Sequence, residues 1–370
     1  MIPLTQTPML KPLLAITLLV VPMRTLSHPP ARRALAPTPS PALLVLEKEQ
    51  NTLVIVDPAT LTIVARIPAG DDPHEVAVSD DGRTAWVTNY RGRNGGPGGS
   101  TITPIDLVEQ KALAPIQLGA LRAPHGVATA GGKLYFTAEQ SKVVARFDPA
   151  TNAIDWVMGT GEDRTHMVTA SHDGSVILTT NVNSPSVSVI AERALPLPTA
   201  GPGAPPAGAP PGGPPRNGAA PKDWHVTNIR VGRGAEGMDL SPDGRELWVA
   251  NAGDATISII DVATLAVVAT IPSTHAANRL KLTLDGRFAF VSDLAGSDML
   301  VIDTKSRKPH TRIAMGGNSE GIVMSADGTR VYTTLNSRDA VAVIDLRTMK
   351  VTGEVKTGRG PDGLAWAVRR

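Results

Sequence analysis

Residues 236–272 read EGMDLSPDGRELWVANAGDATISIIDVATLAVVATIP. GMDLSP alternates apolar and polar side chains, SPDG is a tight turn and RELWVAN is a second apolar run. AGD turns into a third run, ATISIID, and VATL into a fourth, AVVATIP. β-Branched side chains, a period of two and Gly, Asp, Asn and Pro punctuation specify strands rather than helices. The unit recurs along the chain. Turns ending in glycine fall at Gly82 (SDDG), Gly132 (AGG), Gly174 (SHDG), Gly244 (SPDG), Gly286 (TLDG) and Gly328 (SADG), with spacings of 50, 42, 70, 42 and 42 residues. The two longer spacings each contain one Gly/Pro-rich insertion, a Gly-rich loop at 91–100 and a Pro/Gly-rich segment at 195–222 that reads as a disordered loop. Four short strands in about 40 residues is the period of a propeller blade.

PDGLAWAV at 361–368 matches the first strand of a further blade, and the three strands it lacks stand near the other end of the chain. They are ALLVLEKE, NTLVIVD and LTIVARIP, within 42–68. The expected fold is all-β, a single seven-bladed β-propeller over 42–370. Its composite closing blade would join the C-terminal strand to the N-terminal strands and leave no sheet edge open between first and last blade.

Residues 1–36 differ in character. Lys11 precedes the apolar run LLAITLLVV at 13–21, followed by Pro22, a polar stretch and ALA at 34–36. This is a secretory signal pattern, too short in its apolar part for a membrane span, and it implies a periplasmic or secreted protein whose mature chain begins between residues 27 and 41. There is no cysteine, which excludes disulfides, a lipidated cysteine, covalent haem attachment and thiolate metal ligands. Removing the leader takes away Lys11, Arg24, Arg32 and Arg33 and no acids, so the net charge moves from +2 to −2. A near-neutral domain gives no electrostatic reason to expect nucleic acid as a partner. A monomer that meets a small-molecule ligand or a protein partner is expected.

WVTN at 86–89, WVAN at 248–251 and FVSD at 290–293 each lie between an SPDG-like turn and an ISIIDVAT-like strand. In this the chain, over essentially all of 42–370, resembles the YVTN-type β-propeller repeat family. Relatives of that architecture include sugar-lactonase-like and streptogramin-lyase-like enzymes, cell-surface proteins and periplasmic binding proteins. The resemblance therefore implies a fold and leaves function to the site.

Registering the blades on their turns exposes two rings. Eight residues before the turn glycine (seven in the shorter AGG turn) stand His74, His125, His166, Glu236, Asn278 and Glu320, with Asp362 in the composite blade. This is the start of each innermost strand, beside the central channel. Seven residues after the turn glycine stand Asn89, Glu139, Asn181, Asn251, Asp293 and Leu335, with Glu47 in the composite blade, on the same face but farther out. Asn and Asp at strand ends commonly cap turns, so the outer ring reads as structural. Arg279 brings a cation into the entry layer beside Asn278, among Glu75, Met167 and four glycines, 126, 237, 321 and 363, whose amides would face the channel. Ser171-His172-Asp173 spells a triad in letters but is a hairpin turn, because catalytic triads are assembled in space.

Three chemistries suit the inner ring. His74, His125 and His166 would hold Zn, Cu or Fe, for which imidazole is a suitable ligand, whereas Ca or Mg would prefer the acidic side, Glu236, Glu320 and Asp362. Alternatively, the mouth serves a lactonase- or lyase-like enzyme, with histidine as general acid or base and Arg279 stabilising an oxyanion. A third possibility is a protein-interaction scaffold with both rings structural. Candidate ligand-binding residues are Glu236, Asn278, Arg279, Glu320 and Asp362.

Overall fold

A computed structural model describes residues 36–91, 98–194 and 222–370. Their strands form seven antiparallel sheets arranged as the blades of a propeller. The first blade opens at Pro73–Val78, and the next five open at Pro124–Ala130, Thr165–Ala170, Ala235–Leu240, Ala277–Leu282 and Ser319–Met324. The seventh is composite: Pro361–Ala367 pairs with Ala42–Glu47, followed by Thr52–Asp57 and Thr62–Pro68. Leu43 faces Trp366 and Val45 faces Leu364 across the closing seam.

The six repeat turns share one chemistry. Each ends in a glycine at φ between 68° and 71°, where a side chain would be strained. In five of them the Ser or Thr hydroxyl donates to the Asp carboxylate two residues on at 2.6 Å. The apolar alternation then buries one face of each blade against the next. Leu44, Leu46, Leu53 and Ile55 of the composite blade pack on Val76, Val87 and Ile105 of the first. Trp248 and Ile257 of the fourth pack on Leu280, Val291 and Leu300 of the fifth.

A bulge interrupts every first strand near its start. In the first blade Pro73 pairs with Asn89 and Val76 with Val87, so His74 and Glu75 together oppose Thr88 alone. The same two-against-one step occurs at His125/Gly126, His166/Met167, Glu236/Gly237, Asn278/Arg279, Glu320/Gly321 and Asp362/Gly363. Bulges bend a strand and re-aim its side chains. Here they place the inner ring and its entry layer at the channel together.

The four entry-layer glycines stand against the next blade. A Cβ on Gly126 would come within 2.5 Å of the His166 carbonyl, on Gly237 within 2.7 Å of the Asn278 carbonyl, on Gly321 within 2.2 Å of the Asp362 carbonyl and on Gly363 within 2.4 Å of the His74 carbonyl. The next blade fills the space, and glycine is what lets adjacent bulges close on one another. The two insertions extend hairpins: Arg91 pairs with Gly98, and Ala194 with Lys222. Residues 92–97 and 195–221, and the leader through residue 35, lie outside the described residues.

Deleting residues 361–370 removes the strand that Ala42–Glu47 pairs with and exposes an apolar edge. Aggregation or loss of the cooperative unfolding transition is expected by circular dichroism and light scattering. A truncated protein that unfolds at the parent's midpoint with the parent's steepness would contradict the closure.

Candidate functional site

Hydroxyls on the second strands of the first three blades tie the bulge of the next blade in place and so position side chains that meet at the mouth. Thr88 Oγ1 donates to the His125 carbonyl at 2.7 Å, Thr137 Oγ1 to the His166 carbonyl at 2.5 Å and Thr180 Oγ1 to the Glu236 carbonyl at 2.6 Å. The backbone of each residue is thus held by the blade before it. The imidazoles form a row, His74 to His125 at 5.0 Å between ring centroids and His125 to His166 at 3.9 Å. Tyr90 stands beside it, 4.7 Å from the His74 ring and 5.2 Å from that of His125.

The three histidines have different partners. His74 lies between two carboxylates, with Nδ1 3.2 Å from Asp362 Oδ2 and Nε2 3.4 Å from Asp72 Oδ1. Burial disfavours its charged form, but the hydrogen bonds to Asp362 and Asp72 outweigh it and raise the pKa to about 9. His166 is also held between carboxylates. Nδ1 meets Glu139 Oε1, and Nε2 lies 2.7 Å from Glu236 Oε2, within ion-pair distance but off the line of a hydrogen bond. Against burial, Glu236 and Glu139 raise the His166 pKa. His125, between them, has no such partner. Burial and then the cationic neighbours His166 and His74 push its pKa well down, so it stands as a neutral imidazole, and its buried Nδ1 has no hydrogen-bond partner.

His125, Glu139 and His166 bring one potential ligand atom each to within 4.8 Å of one another, and all three residues are buried, at 4%, 4% and 2% exposure. Of the three histidines expected at an ion, the structure brings two into this group, Glu139 is its third potential ligand, and His74 lies outside it. Glu139 comes from the outer ring. The other outer-ring members have structural partners: Asn89 donates to Thr101 and Thr103, Asn181 to Ser186 and Ser188, and Asn251 to Thr256 and Ser258. Asp293 accepts from the amides of Ala276 and Ala295, Glu47 accepts from Thr52 Oγ1 and the Gly358 amide, and Leu335 is in the core. Glu139 instead turns inward, where it meets Tyr90, Arg164 and His166, whereas Glu47, of the same length, does not.

Both oxygens of Glu139 are engaged. Oε1 faces His166, while Oε2 accepts from the Tyr90 hydroxyl at 2.5 Å and from Arg164 Nε at 3.3 Å. These contacts, chiefly that to His166, hold its pKa down against burial. Burial and the adjacent Glu139 in turn raise the Tyr90 phenol to about 12.

The remaining inner-ring residues form two further groups. Arg279 spans the channel: Nη2 bonds Glu75 Oε1 of the first blade at 2.8 Å, and Nη1 lies 3.5 Å from Glu236 Oε2 of the fourth. Asn278 Oδ1 accepts from the same Nη1 at 3.0 Å. With His166 and Arg279 beside it, Glu236 is held at a pKa of about 2 despite its burial. On the other side Lys48 Nζ donates to Asp362 Oδ2 at 3.0 Å, and Asn336 Nδ2 donates to Glu320 at 3.1 Å. Burial and then Asp362 raise the Glu320 pKa. Sequence reasoning selected the inner ring but passed over Tyr90, Glu139, Arg164, Lys48 and Asp72 as site residues. Their only common signal is that they stand in the loops and strand ends on the mouth face.

No family model and no curated protein matches the chain. Solved structures do match it. A protein of unknown function from Desulfotomaculum acetoxidans superposes with a TM-score of 0.69 at 15% identity, over 90% of this chain and 100% of its own. The periplasmic gluconolactonase of Pseudomonas aeruginosa gives 0.66 at 17%, over 90% and 100%. A Bacteroides uniformis protein provisionally assigned as a 6-phosphogluconolactonase gives 0.64 at 12%, over 88% and 99%. The chain is a seven-bladed β-propeller similar to these lactonase-type propellers, and at such identities the likeness is one of fold.

Replacing Arg279 with Met strands Glu75 and part of the charge around Glu236 in a buried channel. Breaking a buried pair in this way costs about 3–5 kcal/mol, read as a fall in the urea midpoint. A loss of about 1 kcal/mol or less, the size of an exposed ion pair, would show that the charges are solvated rather than interdependent.

Proposed function

We propose that the protein is an exported binding protein whose channel mouth holds a divalent transition-metal ion on His125, Glu139 and His166, and through it a small polar ligand. The observation that carries this reading is the buried convergence of two imidazoles and a carboxylate, one imidazole neutral with an orphaned Nδ1. A buried nitrogen without a partner is costly, and an ion would complete it. Two imidazoles, one carboxylate and no thiolate suit zinc or iron. Glu236, 2.7 Å from His166 Nε2, supplies negative charge next to the group. The acidic side is less suited to calcium or magnesium, because Asp362 there already holds the Lys48 ammonium.

Export rests on the leader sequence. Among the described residues no helix is long and apolar enough to cross a membrane. Thr38 is buried and donates to the Leu107 carbonyl, and Gln110 Nε2 donates to the Ala36 carbonyl. These contacts favour a mature chain that begins between residues 27 and 36, within the wider 27–41 window. N-terminal sequencing of protein from its native host checks this, and an intact Met1 would contradict export.

A second reading is a lactonase. It is favoured by the likeness to two lactonase-type propellers together with a neutral imidazole, His125, whose charged form is opposed by burial and by the cations of the mouth, Arg279 and Arg164 among them. His125 would take the proton of an attacking water, and the cations would stabilise the oxyanion. Turnover of sugar lactones that is lost in His125→Ala would support it, and no turnover across a lactone panel would remove it.

Elemental analysis of the mature protein, followed by zinc titration of the chelated form, tests the metal reading. One ion per chain is expected, lost in His125→Ala and Glu139→Ala, with an apo form that still folds. Zinc at 100 times its Kd should add about 2.7 kcal/mol of stability. A parent protein that binds no zinc, or alanine variants that bind as it does, would contradict the site.

A further inference from the structure

Within the metal reading, one residue has a role beyond ligation. We propose that Tyr90 is a positioning residue that restricts Glu139 to a single ligating oxygen. The phenol donates to Glu139 Oε2 at 2.5 Å, and Arg164 Nε reaches the same oxygen at 3.3 Å, while Oε1 faces His166. With Oε2 held by two donors, Oε1 is the oxygen left to ligate, once an ion takes the place of the proton between it and His166 Nδ1. The ion then takes three protein atoms, two nitrogens and one oxygen, and keeps its remaining positions for exchangeable ligands. An unrestrained Glu139 would be free to close over the ion with both oxygens and remove one of them.

Tyr90 is built for this task. Its ring is held at 4.7 Å from His74 and 5.2 Å edge-on to His125, so the hydroxyl is aimed by packing. It follows Asn89, whose amide is anchored on Thr101 and Thr103, so the strand end that carries the phenol is itself fixed. Arg164 enters from the loop before the third blade, a different direction, and its side chain is 38% exposed. Partners in the outer sphere of this kind tune affinity by about 10–100-fold.

Cobalt(II) is the probe, because its visible absorption reports ligand number and geometry. Tyr90→Phe keeps the ring and its packing, so the apo protein should unfold at the parent's midpoint. The expected result is a cobalt Kd changed by at least about tenfold, together with a visible spectrum of altered intensity and band position. Arg164→Met, on the half-exposed rim, removes the second donor and should move the spectrum in the same direction, which keeps the test open if Tyr90→Phe does not fold. An unchanged Kd and spectrum in both variants would overturn the role of Tyr90 and leave the metal site standing. Failure of the parent to bind cobalt would overturn both.

Discussion

Each innermost strand carries two residues where its neighbour carries one, and the functional face of the molecule follows from that repeated mismatch. A regular strand would send alternate side chains into the blade interfaces. The bulge instead releases a pair from the ladder in all seven blades, and the first residue of each pair belongs to the inner ring. The hydroxyls of Thr88, Thr137 and Thr180 then bond the carbonyls of His125, His166 and Glu236 in the following blade. The bulge and the closing seam depend on each other. Gly363 sits against the His74 carbonyl, so the last inner strand meets the first as Gly126, Gly237 and Gly321 meet the blades that follow them.

Crowding polar groups around an axis creates a charge problem that the structure solves by pairing across blades. Arg279 of the fifth blade reaches Glu75 of the first and Glu236 of the fourth, and His166 stands between Glu236 and Glu139. Lys48 and His74 flank Asp362. Every such carboxylate except Glu320 has a cation in contact, and Glu320 is the one raised in pKa. His125 breaks the pattern from the other side. It is neutral, buried and unpartnered at Nδ1, between two imidazoles drawn toward their charged forms.

The fold was legible because a period and a turn are local signals. Gly244 and its equivalents mark the register, and PDGLAWAV with ALLVLEKE shows how the last blade closes. The inner ring was legible for the same reason, since a register error would have exchanged His74 for Glu75, and the bulge delivers both. Glu139 was visible only as a strand end, where Asn89, Asn181 and Asn251 play a structural part. Its inward turn goes with its contacts to Tyr90 and Arg164, which a repeat register does not report. The partnership of Arg279 with Glu75 spans 204 residues and exists only once the ring is closed. Gly126, Gly237, Gly321 and Gly363, expected to leave room for a ligand, stand where adjacent blades meet. Glycine signals close approach, and sequence alone does not say of what.

The central claim is that the mouth assembles a metal-binding group from His125, Glu139 and His166 rather than a polar lining alone. Anomalous X-ray scattering at the zinc edge from crystals of the zinc-loaded protein tests it most directly. The account predicts one peak at the channel mouth within about 2.0–2.2 Å of a donor atom from each of these three residues. A peak ligated instead by His74 and Asp362, or no ordered peak at the mouth, would contradict it.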